Sequence, residues 1–195
     1  MANDFEKILA YTQKFIAFND EERAFYESLM QVKKLRKKQT IVQPGYVCKH
    51  RTYVLEGTMR SFLYDNNAHE HTIALAVEDW WISDFNSYIY QIPSTLFVEA
   101  MEKTTVIQMD FESEQLLLER YPKFEKFFRI LYQRSVASLQ RRMLSNLSKT
   151  AEERYEEFME RYPHIANRIP QYVLASYLGF SNEYLSRIRN KRTKR

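Results

Sequence analysis

The chain has 195 residues, 45% of them hydrophobic and 28% charged, with a net charge of +4, which suits one large or two small globular domains. The single cysteine, Cys48, excludes an intrachain disulfide and a four-cysteine metal or iron–sulfur site, and no apolar run approaches the ~20 residues of a membrane span. The charge is uneven: Ile165 to Arg195 holds seven basic residues against the single acid Glu183, so the choice is between a polyanionic partner and a solvated basic tail.

In chain order, "MANDFEKILAYTQKF" reads as a charged amphipathic helix rather than a signal peptide, so a cytoplasmic location is expected. Phe5, Ile8, Leu9, Thr12, Phe15 and Ile16 share its apolar face. Asn19 or Asp20 is placed to cap a second helix carrying Phe25 and Leu29. Near Lys34 the pattern changes to short runs rich in β-branched and aromatic residues: "TIVQPGYV", "RTYVLEGTMRSFLYD" and "HTIALAVEDWW". Pro44-Gly45, Glu56-Gly57 and Asp65-Asn66-Asn67 punctuate them, and "LFVEAMEKTTVIQMD" reads as a last strand after Pro93. Strands with tight turns and no long helix between them predict an antiparallel sandwich or roll. Helix returns at Phe111. Pro122 opens a long helix to about Ser148, about 39 Å at the α-helical rise. Phe124, Phe128, Leu131, Ser135, Leu139 and Met143 step along it as one apolar seam, which predicts either packing on its own domain or pairing with a second copy. A charged helix over 150–162 ends at Pro163.

The stretch "IPQYVLASYLGFSNEYLSRIRNK" then carries two short helices. Pro170 suits a first helical position, and Val173, Leu174, Tyr177 and Leu178 make an apolar face. Gly179 stands where a helix ends in a left-handed residue, and Ser181 is placed to cap the next helix. In that helix Tyr184, Leu185 and Ile188 point one way, and Asn182, Glu183, Ser186, Arg187 and Asn190 the other. A small residue at Ala175, a glycine four later, and apolar residues six and nine after it match the spacing of a DNA-binding helix-turn-helix. The outward residue types suit base edges: Arg for guanine, Glu for the cytosine amino group, Asn for adenine. Arg189, Lys191, Arg192, Lys194 and Arg195 lie at or beyond the helix end, where phosphates pass.

From "VQPGYVCKHRTYVLEGTMRSFLYDNNAHEHTIALAVEDWW" and "FSNEYLSRI" onward, nearly the whole chain resembles the Crp/Fnr family of bacterial transcription regulators. The first stretch is similar to the opening strands of that family's cyclic-nucleotide-binding β-roll. The second resembles its recognition helix, with the Glu-x-x-Ser-Arg pattern on Glu183, Ser186 and Arg187. The resemblance implies an α+β chain. N-terminal helices and an antiparallel β-roll, a cupin-like double-stranded β-helix, would form a sensor over 1–120. A dimerisation helix would span 121–148, and an all-helical helix-turn-helix domain with a reduced or absent wing would take 149–195. It implies a homodimer that binds an inverted repeat in double-stranded DNA, with RNA polymerase as a further partner and no enzymatic activity.

The resemblance breaks at the nucleotide-phosphate cassette. Ser94-Thr95-Leu96 stands where Arg-Ser-Ala is expected, and Ser83-Asp84 is a poor match for Gly-Glu. Without that arginine a cyclic phosphate has no bidentate partner, so no response to cyclic AMP is expected. Trp80, Trp81 and Phe85, with Ser94 and Thr95, are the candidate small-ligand residues, and core packing is the other reading of the aromatics. The effector, if any, is left open. His69 and His71 alternate on a strand with Glu78 seven residues on, and His50 precedes another strand; a cupin-like metal enzyme would use such residues. No Ser/His/Asp set or phosphate-binding glycine loop accompanies them, and no metal or cofactor is expected.

Overall fold

A run of eight β-strands enclosed by helices follows from the alternation of the middle of the sequence. The computed structural model describes residues 4–193, the side chains of Arg192 and Thr193 excepted. Lys194 and Arg195, expected at phosphates, lie outside the described residues. The chain divides into two units. One takes the residues up to Ser61 with Leu75–Arg134, the other Phe62–Ala74 with the residues from Ser135 on.

In the first unit α1 (Glu6–Gln13) and α2 (Asp20–Ser28) are separated at Asn19, whose side chain accepts from the Glu22 N–H while the Glu22 carboxylate accepts from the Asn19 N–H. This reciprocal capping satisfies two backbone donors at once. The strands are β1 (Gln31–Leu35), β2 (Thr40–Val42), β3 (His50–Glu56), β4 (Met59–Tyr64), β5 (Glu70–Ala76), β6 (Trp81–Ile82), β7 (Phe97–Ala100) and β8 (Thr104–Asp110). They form two four-stranded sheets, ordered β1-β8-β3-β6 and β2-β7-β4-β5. The pairs β1–β8, β3–β8, β3–β6 and β2–β7 are antiparallel. The stretch expected as one last strand is two, β7 and β8, because the chain turns at Met101–Lys103. Gly57 makes the β3–β4 corner at φ +104; a Cβ there would sit 2.8 Å from the Thr104 Cα, so only glycine fits.

Strand alternation sorts the apolar residues into two cores. Val54, Met59, Ala76, Ile82, Val98 and Val106 fill one. Tyr53, Leu55, Ile107 and Met109 point the other way, against Ile8, Leu9, Tyr26 and Leu117. The helix α3 (Phe85–Tyr90), capped by the Asp84 side chain, lies between β6 and β7. It escaped the sequence reading because six residues carry too little period.

After β8, α4 (Phe111–Arg120) leads into α5 (Lys123–Ser148), 26 residues long. Its expected seam splits. Phe124 and Phe128 are buried in the first unit's core, where Phe124 stacks on Phe18 and meets Tyr26 at 4.9 Å, and Leu131 packs against the same cluster. Further along, Val136, Leu139, Met143, Leu144 and Leu147 stand exposed, Leu147 by 80%.

The second unit continues with α6 (Ala151–Arg161), the single turn α7 (Pro163–Ala166), α8 (Gln171–Leu178) and α9 (Asn182–Thr193). Thr150 and Glu153 cap α6 reciprocally. Pro163 opens α7 rather than merely ending α6, and Pro170 stands as the cap of α8, one residue outside the expected first helical position. No strand follows β8 among the described residues, so a β-hairpin wing is absent there. Among the same residues no helix is long and apolar enough to cross a membrane.

Candidate nucleic-acid interface

The pair α8–α9 is built around a small core. Tyr155 and Phe158 of α6, Ile165 and Ala166 of α7, and Val173, Leu174, Ala175 and Leu178 of α8 are buried, together with Leu185 and Ile188 of α9. Gly179 ends α8 at φ +80, in the left-handed region. There the Phe180 N–H reaches back to the Ala175 carbonyl at 3.1 Å and the Gly179 N–H to that of Ser176. This closing pattern reverses the chain within two residues. The Ser181 hydroxyl then accepts from the Tyr184 N–H at 3.2 Å, so α9 starts where its first-turn donors are satisfied.

The faces of α9 separate cleanly. Leu185 and Ile188 point into the core, and the Tyr184 hydroxyl donates to the Glu152 carboxylate in the first turn of α6. That tether fixes the rotation of α9 about its own axis. Asn182, Glu183, Arg187, Arg189, Asn190 and Lys191 are exposed, and Ser186 is half-buried. Glu183, Ser186, Arg187 and Asn190 are three or four residues apart and share one strip, as helical spacing requires. Lys191 borders that strip, whereas Asn182 and Arg189 flank its other side. The Arg187 guanidinium lies 5.1 Å from the centre of the Tyr184 ring, a cation–π contact that holds it in place while leaving its donors to solvent. The Glu183 carboxyl is held below the usual carboxylate range by its own backbone N–H and by the Ser181 hydroxyl, with Arg187 adding to the effect. The strip is thus a fixed anion beside a fixed cation. The side chain of Arg192 lies outside the described set.

Sequence reading missed what holds α8 from behind. The Ser176 hydroxyl donates to the Glu70 carbonyl at 2.9 Å and accepts from the Thr72 N–H at 2.8 Å. Arg142 of α5 donates to the Ile73 carbonyl. β5 is the outer strand of its sheet, and these side chains satisfy edge groups that would otherwise offer a template for aggregation. A serine and an arginine facing an edge strand leave no period in the sequence.

The candidate small-ligand residues have different surroundings. Trp80 packs against the core between the sheets, whereas Trp81 packs on the helical side, 5.4 Å from Tyr53 and beside Phe127 and Phe128. Phe85 meets Tyr132 edge-on at 5.9 Å. Ser94 is buried and donates to Asp84 at 2.7 Å, and Thr95 is exposed. The polar centre of this unit is elsewhere. Buried Arg51 donates to Glu114 at 2.8 Å and to the Tyr132 hydroxyl, while the Tyr88 hydroxyl donates to Glu114 at 2.7 Å. The rings of Trp81, Tyr88, Phe128 and Tyr132 surround the guanidinium. Burial, then the Glu114 charge, push the Tyr88 hydroxyl up. His69 and His71 both lean on Asp65, and Glu78 accepts from the Gly57 N–H. Among the described residues no group of three or more His, Cys, Asp and Glu is placed to hold a metal.

No protein-family model and no curated protein sequence matches the chain. Solved structures do. FixK2 from Bradyrhizobium japonicum superposes at TM-score 0.74 with 17% identity over 85% of each chain. A CooA mutant from Carboxydothermus hydrogenoformans superposes at 0.71 with 16% identity, over 100% of this chain and 86% of that one. A transcriptional regulator of the Crp/Fnr family from Eubacterium rectale superposes at 0.70 with 14% identity, over 91% and 85%. Together with the two sheets, the long α5 and the α8–α9 pair, these likenesses show that the chain has the fold of the Crp/Fnr regulators.

Proposed function

We propose that the protein is a sequence-specific, double-stranded-DNA-binding transcription regulator, acting as a homodimer on an inverted repeat. The observation that carries this reading is the fixed polar strip of α9. Glu183, Ser186, Arg187 and Asn190 stand on its open side, while Leu185, Ile188 and Tyr184 anchor the other. Those four side-chain types have two-point or donor–acceptor matches to base edges in the major groove. Asn182, Arg189 and Lys191, exposed beside the strip, would meet the flanking backbone, as would Arg192 by its position in the sequence, and RNA polymerase is the further partner that a regulator of transcription addresses. A regulatory role also fits 1–120 as a sensor, 121–148 as the dimerisation helix and 149–195 as the reader. Selection of bound duplexes from a random pool tests it: an enriched inverted repeat is expected, and no enriched sequence would contradict it.

The same reading excludes cyclic AMP as effector. The Asp84 carboxylate, 3% exposed, is taken by the hydroxyl of Ser94 and the N–H of Ser87, and no arginine stands beside Ser94 in sequence. A phosphate brought to that carboxylate would be repelled and unpaired. Calorimetry with cyclic AMP and cyclic GMP should show only heats of dilution; micromolar binding of either would overturn this.

A further inference from the structure

We propose that a pocket in the second unit, walled by α5, α6 and α8, is a binding site for a phosphate-bearing small molecule. Its lining contains four arginines, Arg141, Arg142, Arg154 and Arg161, against one acid, Glu157. That acid is already saturated: the Ser145 hydroxyl donates to it at 2.8 Å, Lys149 at 3.0 Å and Arg161 at 3.3 Å. Among the described residues no carboxylate lies within ion-pair distance of Arg141, Arg142 or Arg154.

Two of these arginines are held in place with donors to spare. Arg142 lies 4.7 Å from the centre of the Tyr177 ring and gives one N–H to the Ile73 carbonyl. Arg154 gives one terminal nitrogen to the carbonyls of Asn146 and Lys149, at 3.4 and 3.1 Å. Its Nε is closed off from water with no hydrogen-bond partner. A phosphate would therefore be met by the terminal nitrogens of these arginines rather than by that Nε. The cavity measures ≈ 60 Å³, room for roughly four to six water-sized groups, which is the scale of one phosphoryl group. Several unmatched guanidiniums suit a dianion better than a single carboxylate, and the arginine fork pairs two oxygens at a time. Phe158 and Tyr177 supply an apolar wall for the rest of the molecule.

A ligand here touches the long helix and the first helix of the DNA reader together. It would set their mutual angle and so the affinity for DNA, a consequence that rests on the proposed function; the binding itself does not. The test uses the full chain, first without DNA and then, for the variants, with the selected duplex. Inorganic phosphate, pyrophosphate, a hexose phosphate and citrate are titrated at fixed ionic strength, followed by calorimetry. Saturable binding of at least one phosphate probe, at one site per chain and in preference to citrate, is expected. Arg141→Gln removes no hydrogen bond or ion pair among the described residues and should weaken it at least about tenfold, as should Arg161→Gln. Arg187→Ala should leave it unchanged. Tightest binding of the hexose phosphate would make the source a phosphorylated metabolite, and tightest binding of either inorganic probe a free phosphate. No saturable binding, equal binding of citrate, or binding untouched by Arg141→Gln would overturn the site. So would Arg141→Gln lowering DNA affinity with no phosphate binding, which makes the pocket a DNA-backbone contact.

Discussion

Arg51 and Glu114 show how far one buried pair can organise a unit. Each is nearly inaccessible, 2% and 5% exposed, and the aromatic rings around the guanidinium replace its water. Such a pair is expensive to break and not obviously stabilising to keep. Glu114→Gln leaves the cation buried with half its partner and should cost about 3–5 kcal/mol in urea unfolding. Replacing both, Arg51→Met with Glu114→Leu, should recover most of that loss. A double variant no better than the single one would mean that Arg51 holds the site through packing alone. Neither residue stands out in the sequence, because an Arg on a strand and a Glu on a helix 63 positions apart carry no shared pattern. The glycines were legible for the opposite reason: Gly57 and Gly179 sit at local geometry that few other residues adopt.

At the scale of elements, α5 carries two different surfaces in one helix. Its first turns belong to a core, whereas Val136, Leu139, Met143 and Leu147 repeat every three or four residues with their side chains open. An exposed apolar stripe of that length marks an interaction surface, and in the proposed homodimer a second α5 would cover it. Leu139→Glu with Leu147→Glu should therefore yield a folded monomer in sedimentation, with the thermal unfolding of the protomer little changed. A dimer at unchanged concentration dependence would rule the stripe out. The seam itself was legible in the spacing of apolar residues. What split it was not: Phe124 and Phe128 are claimed by Phe18, Tyr26 and Trp81, contacts made across long sequence distances. The same limit explains β7 and β8, whose separating turn holds Met, Glu and Lys rather than glycine or proline.

Over the whole molecule, the sequence is most legible where function needs a local device. The α8–α9 turn, its left-handed glycine, the Ser181 cap and the buried Leu185 and Ile188 all follow from residues within ten positions of one another. The interior of the first unit depends on distant pairings, and there Trp80 and Trp81, adjacent in sequence, pack against separate cores. Whether the open strip of α9 reads bases is decided at Arg187. The protein and its Arg187→Ala variant are titrated against the selected duplex and a scrambled one at several salt concentrations. The expected result is a loss of about 1–3 kcal/mol on the selected duplex, relaxed preference at one base pair, and an unchanged salt slope. Equal loss on both duplexes with a shallower salt slope would make Arg187 a phosphate contact and not a reader of bases.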